Sequence, residues 1–183
     1  MASRKAHRLF FALVPDERVR AEVARIQSGL GAAGRAVPPP NFHVTLAFLG
    51  LQPTAVIPEI CALAGRLQLE PCRVVMDEVG RFPRAGVMWL GASTLPDPLR
   101  RFQQDLLAAL EAAEIGHDPK PWTFHLTLYR RLRKPFPTLP SVAIEWAISG
   151  FDLVESAAAR KGVEYHSIGY WSADGPPHSR GSA

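Results

Sequence analysis

The chain is poor in the residues that staple or metallate small proteins. Two cysteines, Cys61 and Cys72, occur in 183 residues, and no C-x-x-C pair is present. A disulfide framework is therefore excluded, and this usage suits a reducing cytosol. Neither H-x-H nor H-E-x-x-H occurs. A zinc site needs a third and usually a fourth ligand, often at close spacing, so no metal and no cofactor are expected. No apolar run approaches the roughly 20 residues that span a bilayer, so no membrane is expected as a partner. Residues 9–14 are apolar, but Pro15-Asp16-Glu17 ends the run at once. It is too short for a secretory h-region and reads as a buried strand. No Walker A sequence is present, and Gly29, Gly31 and Gly34 close the first helix. A nucleotide-binding doubly wound sheet lacks support.

What is present is ordinary for a globular chain: 47% hydrophobic residues, 21% charged and a formal net charge of +4. The basic excess suits an anionic substrate. A protein that coats duplex DNA usually carries a denser basic face. The length fits one compact unit. It is expected over residues 1–173, with 174–183, rich in Gly, Pro, Ser and Ala, as a disordered tail.

Apolar runs predict strands over 8–14, 42–49, 72–79, 87–90, 124–129, 142–154 and 163–171. Helical spacing of Val19, Val23, Ile26 and Leu30, after a capping Asp16, predicts a first helix. Further helices are expected over about 53–69 and 96–115. Residues 130–140 read as a basic, proline-containing loop. This order points to an α+β fold with mainly antiparallel sheets.

One short internal repeat carries the chemistry. Asn41-Phe42-His43-Val44-Thr45-Leu46 is echoed by Thr123-Phe124-His125-Leu126-Thr127-Leu128. Side chains alternate between faces of a strand. His43 and Thr45 therefore share one face, with Val44, Leu46 and Phe48 on the other. His125 and Thr127 share a face opposite Leu126 and Leu128. A lone His-x-Thr in a strand is commonplace, because threonine favours strands. Two copies in matching halves place two imidazoles and two hydroxyls along one groove. Histidine can take or give a proton near neutrality, and hydroxyls can hold phosphoryl oxygens as charge develops. A strained cyclic phosphate needs little more than positioning and proton transfer.

With this pair in view, the chain resembles the two-histidine phosphoesterase superfamily. Within it, the chain is similar to the RNA 2′,3′-cyclic phosphodiesterases, also called the 2′-5′ RNA ligase family. The likeness covers nearly all of residues 8–171. It includes Arg8 to Leu13, Val37-Pro38-Pro39, the stretch from Asn41 to Gly50, Gly80-Arg81-Phe82-Pro83-Arg84, Val87 to Gly91, the stretch from His125 to Arg130, Tyr165 and Trp171. The resemblance implies a bilobal α+β fold, two lobes related by a pseudo-twofold axis around a central cleft. It implies hydrolysis of RNA 2′,3′-cyclic phosphate ends to 2′-phosphates. Apart from the resemblance, tRNA fragments or small cyclic nucleotides are the expected substrates, cysteine usage points to the cytoplasm, and nothing in the sequence demands more than a monomer. The resemblance implies His43 as proton donor and His125 as proton acceptor. It implies Thr45, Thr127 and Arg130 as substrate-binding residues. A reversible 2′-5′ RNA ligase and an RNA-end-binding module with little catalysis are the alternatives.

Other residues are open to two readings. Arg130, Arg131, Arg133 and Lys134 either meet RNA phosphates or form a solvated loop. Arg81 and Arg84 sit in a connecting loop. Phe48 and Trp89 are expected in the core, Trp122 near the second motif, and Tyr129 beside the site. His7, His117, His166 and His178 lack a threonine at the same spacing and read as surface or satisfied histidines.

Overall fold

The computed structural model describes residues 5–32, 34–133, 140–160, 162–173 and, for the backbone, 175–178. Lys134 lies outside the described residues. Strand β1 (Ala6–Leu13) leads into α1 (Glu17–Gly29). Asp16 caps that helix by accepting a hydrogen bond from the Val19 amide, which satisfies a backbone donor that the first turn leaves unpaired. Then come β2 (Arg35–Ala36), a 3₁₀ turn at Pro39–Asn41, β3 (Val44–Pro53) and α2 (Ile57–Ala64). Next are β4 (Cys72–Met76), β5 (Glu78–Phe82), β6 (Val87–Gly91) and α3 (Asp97–Ala112). The chain continues through β7 (His125–Arg130), β8 (Ile144–Ile148), β9 (Gly150–Ala159), β10 (Gly162–Ser172) and β11 (Gly175–His178).

The fold is α+β, and every strand pairing is antiparallel. The two sheets are very unequal. One has nine strands, in the order β11-β10-β9-β1-β3-β7-β6-β5 with β2 beside β7, and the other has only β4 and β8. The large sheet has two arms that meet where β3 pairs with β7, through Val44 and Leu126 alone. One face is covered by the three helices over a core that includes Phe11, Leu13, Val23, Leu46, Phe102, Leu106, Leu126 and Phe151. The other face is open, and a small apolar cluster of Phe10, Ala12 and Val154, flanked by Phe48 and Tyr165, lies there.

Two expected strands prove to be four. The apolar stretch 72–79 breaks at Asp77 and 142–154 breaks at Ser149, and at each break the chain leaves the small sheet for the large one. Hydrophobicity runs on through both breaks, so periodicity could not locate them. Gly175–His178 falls in the stretch expected to be a disordered tail, yet it pairs with β10 at Tyr170 and Ser172. Composition registers side-chain burial, whereas this strand is built from backbone bonds. Gly29, Gly31 and Gly34 have the letter spacing of a dinucleotide-binding turn. They come after a helix instead of opening one, which leaves no helix N-terminus for a phosphate.

Bulges shift the faces of β3. Phe10 pairs with Phe48, Phe11 with Ala47 and Ala12 with Thr45, so Leu46 and Leu49 fall outside the ladder. Each extra residue moves the rest of the strand by one position. Phe48 therefore joins Thr45 on the open face, not the core side that simple alternation predicts.

Candidate active site

Each histidine is aimed by the backbone just before it. His43 stands immediately ahead of β3, and His125 opens β7. The Nδ1 of His43 bonds the carbonyl of Asn41 at 2.8 Å, and the Nδ1 of His125 bonds the carbonyl of Thr123 at 2.8 Å. A carbonyl only accepts, so Nδ1 carries hydrogen in both rings. Both Nε2 atoms are left for the cleft, each able to take a proton and, once protonated, to return it. Asn41 is fixed in turn, because its side-chain amide donates to the Val163 carbonyl of β10 at 2.8 Å.

The seam between the two arms arranges the four polar groups. Val44 faces Leu126 in an antiparallel pair. Extending that register by one residue each way sets His43 opposite Thr127 and Thr45 opposite His125. The two histidines are then diagonal neighbours, about 7–8 Å apart at the backbone. The cavities along the cleft follow the same crossing. A bay of about 210 Å³ holds His43 with Thr127, Arg130 and Arg131, and a bay of about 270 Å³ holds His125 with Thr45, Phe82 and Trp122. A third, of about 530 Å³, opens between them along β1 and β10, past Arg8, Phe48 and Tyr165.

The surroundings of the rings differ. His43 lies between Phe10 and Tyr165, with both ring centroids 4.9 Å away. Burial there, opposed by the Asn41 hydrogen bond and reinforced by the charges of Arg130 and His125, lowers its pKa to about 4. The imidazole is neutral at pH 7 when the cleft holds no anion. His125 meets the edge of Phe82 at 5.2 Å. Thr127 is buried and Thr45 half-buried. Trp122 donates from its indole nitrogen to the Thr45 carbonyl at 2.8 Å, which ties the segment before β7 to β3.

All five residues expected at the site, His43, Thr45, His125, Thr127 and Arg130, line these connected bays. Trp89 is half-buried instead of core, and pairs with Thr127 beside Phe82. A Cβ on Gly80 would lie 2.1 Å from its ring, so only glycine fits beneath it. Tyr129 is turned away from the cleft, and its hydroxyl donates to the Gln27 carbonyl inside the core. Arg81 and Arg84 line none of the three bays. His7 contacts Glu155, His117 Glu111 and His166 Glu164. The His178 side chain lies outside the described residues. Both cysteines are free, and burial pushes each thiol up. Among the described residues no three His, Cys, Asp or Glu side chains converge as metal ligands, and no helix is long and apolar enough to cross a membrane. Sequence reasoning named Phe10, Asn41 and Phe82 as parts of the repeat or the resemblance and gave them no role at the site. The Asn41 and Thr123 contacts run through carbonyls, which carry no residue signature.

Fold and site together define the class: an α+β protein whose one large sheet joins two His-x-Thr strands edge to edge. The 2′-5′ RNA ligase superfamily model matches residues 15–160, and the chain belongs to that family. An RNA 2′,3′-cyclic phosphodiesterase of Thermus thermophilus is 36% identical, over 96% of this chain and 94% of that protein. The RNA 2′,3′-cyclic phosphodiesterase of Escherichia coli is 29% identical over 90% and 96%. The crystal structure of E. coli LigT complexed with 3′-AMP superposes with a TM-score of 0.85 at 26% identity, over 93% of this chain and all of that one.

Proposed function

We propose that this protein hydrolyses the 2′,3′-cyclic phosphate ends of RNA, leaving a 2′-phosphate. The observation that carries the reading is the crossed square, in which two imidazoles with free Nε2 atoms each face the hydroxyl of the other motif. The names of its relatives support the substrate class. In the proposed step, Nε2 of His125 takes a proton from water as the water oxygen bonds to phosphorus. The bond from phosphorus to O3′ breaks, and His43 gives its Nε2 proton to O3′. The products are a free 3′-hydroxyl and a 2′-phosphate. Thr45 and Thr127 donate to the non-bridging oxygens, and Arg130 offsets their charge.

The low basicity of His43 fits a donor. An anion beside Nε2 favours the charged ring and raises its pKa, so a bound phosphate promotes uptake from solvent of the proton that its own cleavage needs. No step calls on a metal. The reading extends to a monomeric, single-domain cytoplasmic enzyme acting on tRNA fragments or small cyclic nucleotides, and the two free cysteines suit a reducing compartment. The test is turnover of a nucleoside 2′,3′-cyclic phosphate in excess EDTA, followed by phosphorus NMR. The expected product is the 2′-phosphate; no turnover, or turnover only with added metal, overturns the reading.

A further inference from the structure

We infer that the bay beside His43 binds the phosphodiester one nucleotide upstream of the cyclic end, so that the site grips the terminal two nucleotides of an RNA and not the last one alone. The inference rests on the proposed function. If His43 protonates O3′, the terminal ribose lies against His43, and its 5′ side must leave through one of the three bays that His43 lines. They differ in character. One of these, of about 490 Å³, has the carboxylates of Asp152 and Glu164 in its wall and disfavours a phosphodiester. The other two share Arg130, Val163 and Tyr165. The larger of them adds Phe48, with the Arg8 guanidinium 4.9 Å over its ring, a surface on which a base can stack. The smaller adds Arg35 and Arg131, and none of its lining residues is a carboxylate. At about 210 Å³ it falls below the roughly 300–1,000 Å³ that enclose whole small molecules, and suits a single charged group.

The arginines are gathered at some cost. Arg35 stands directly across the strands from Arg130, and like charges in that position repel. Arg130 and Arg131 have no carboxylate partner among the described residues. Arg131 takes φ +53°, a conformation uncommon outside glycine, asparagine and aspartate. The turn before β6 holds it there, since the Leu132 amide donates to the Gly86 carbonyl at 2.9 Å. Arg35 is placed from the opposite arm. Gly162, in the β9–β10 hairpin, takes φ +137°, which favours glycine, and the Arg35 guanidinium lies against it, 2.3 Å from where a Cβ would stand. Three cations drawn together from β2, β7 and the bend after β7 are stabilised by an anion between them.

The test compares binding of two product analogues at low salt, by calorimetry: a nucleoside 2′-phosphate, and the dinucleotide ending in a 2′-phosphate. The dinucleotide is expected to bind about tenfold more tightly, the worth of one charge-assisted contact. Arg131→Asn keeps a residue that tolerates the bend. It should abolish that advantage, read as the ratio of the two affinities measured on the same variant, so that any change in mononucleotide binding cancels. A methylphosphonate linkage, which is uncharged, should abolish it in the native protein. Equal affinity for both ligands, an advantage that survives Arg131→Asn, or one that survives the neutral linkage overturns the proposal. The two readings fail separately. Loss of the dinucleotide advantage with cyclic phosphate still hydrolysed removes this bay alone, whereas an intact advantage without hydrolysis removes the enzymatic reading and leaves the bay.

Discussion

Val44 pairs with Leu126 at the seam of the large sheet, a register that, continued by one residue, sets His43 opposite Thr127, the threonine of the other motif, with which it lines one bay. Thr45 faces His125 by the same register. The working units of the site are thus the crossed pairs and not the sequence motifs.

Crossed pairs should be coupled in energy. A double-mutant cycle of His43→Ala with Thr127→Val should depart from additivity by about 0.5–3 kcal/mol in transition-state stabilisation, the usual range for residues in contact. The cycle of His43→Ala with Thr45→Val should lie closer to additive. Equal coupling in both cycles would contradict the register.

The histidines should matter for rate and not for folding. His43→Ala and His125→Ala should each lower kcat by roughly 10²–10⁴-fold, the usual size of a general acid–base contribution. The far-ultraviolet circular dichroism should stay unchanged. Near-native turnover in either variant removes it from the mechanism.

His43 should titrate near pH 4 in the ligand-free protein. Its folded pKa lies below the unfolded value of about 6.5. The unfolded chain therefore binds the extra proton first as pH falls. The stability tied to this group is present above pH 6.5 and is lost on acidification towards pH 4, by at most roughly 3 kcal/mol. Binding of a nucleoside 2′-phosphate should move the His43 midpoint upward. Imidazole nitrogen shifts report both, and a midpoint that ignores the ligand would count against His43 as the phosphate's proton donor.

Asn41 should behave as a positioning residue. Asn41→Ala loses the bond to the Val163 carbonyl and should reduce kcat by about tenfold with little change in KM, as expected for one hydrogen bond. Asn41→Asp loses the same donor but adds a negative charge near the ring, so it should also raise the pKa of His43. Identical His43 titrations in the two variants would show that position 41 acts only on stability.

That the two His-x-Thr motifs would meet along one cleft was legible in the sequence, because a repeated His-x-Thr places its own side chains on one face by simple alternation. The reach of that rule ended at Leu46, where the first bulge resets the phase and turns Phe48 to the cleft. The large helices were legible from spacing such as Leu99, Phe102, Leu106 and Leu110, all of which are buried. The exchange of strands between sheets at Asp77 and Ser149 was not, because each sheet offers an apolar face and the choice is made by backbone pairing. Tyr165 was visible only as part of a resemblance. Its contact with His43 joins residues 122 positions apart, beyond the range of any local pattern.

The position of β1 between β3 and β9 sets an order of assembly. A growing chain that has already released both His-x-Thr strands still lacks β9, on which β1 closes, and β10, which brings Tyr165 against His43 and the Val163 carbonyl to Asn41. Pairings this distant in sequence form slowly, because the intervening chain must first be ordered. The surroundings of His43 are therefore the last part of the cleft to be completed, and a nascent chain that ends before β10 holds both histidines while His43 still lacks Tyr165 and Asn41 its anchor on β10.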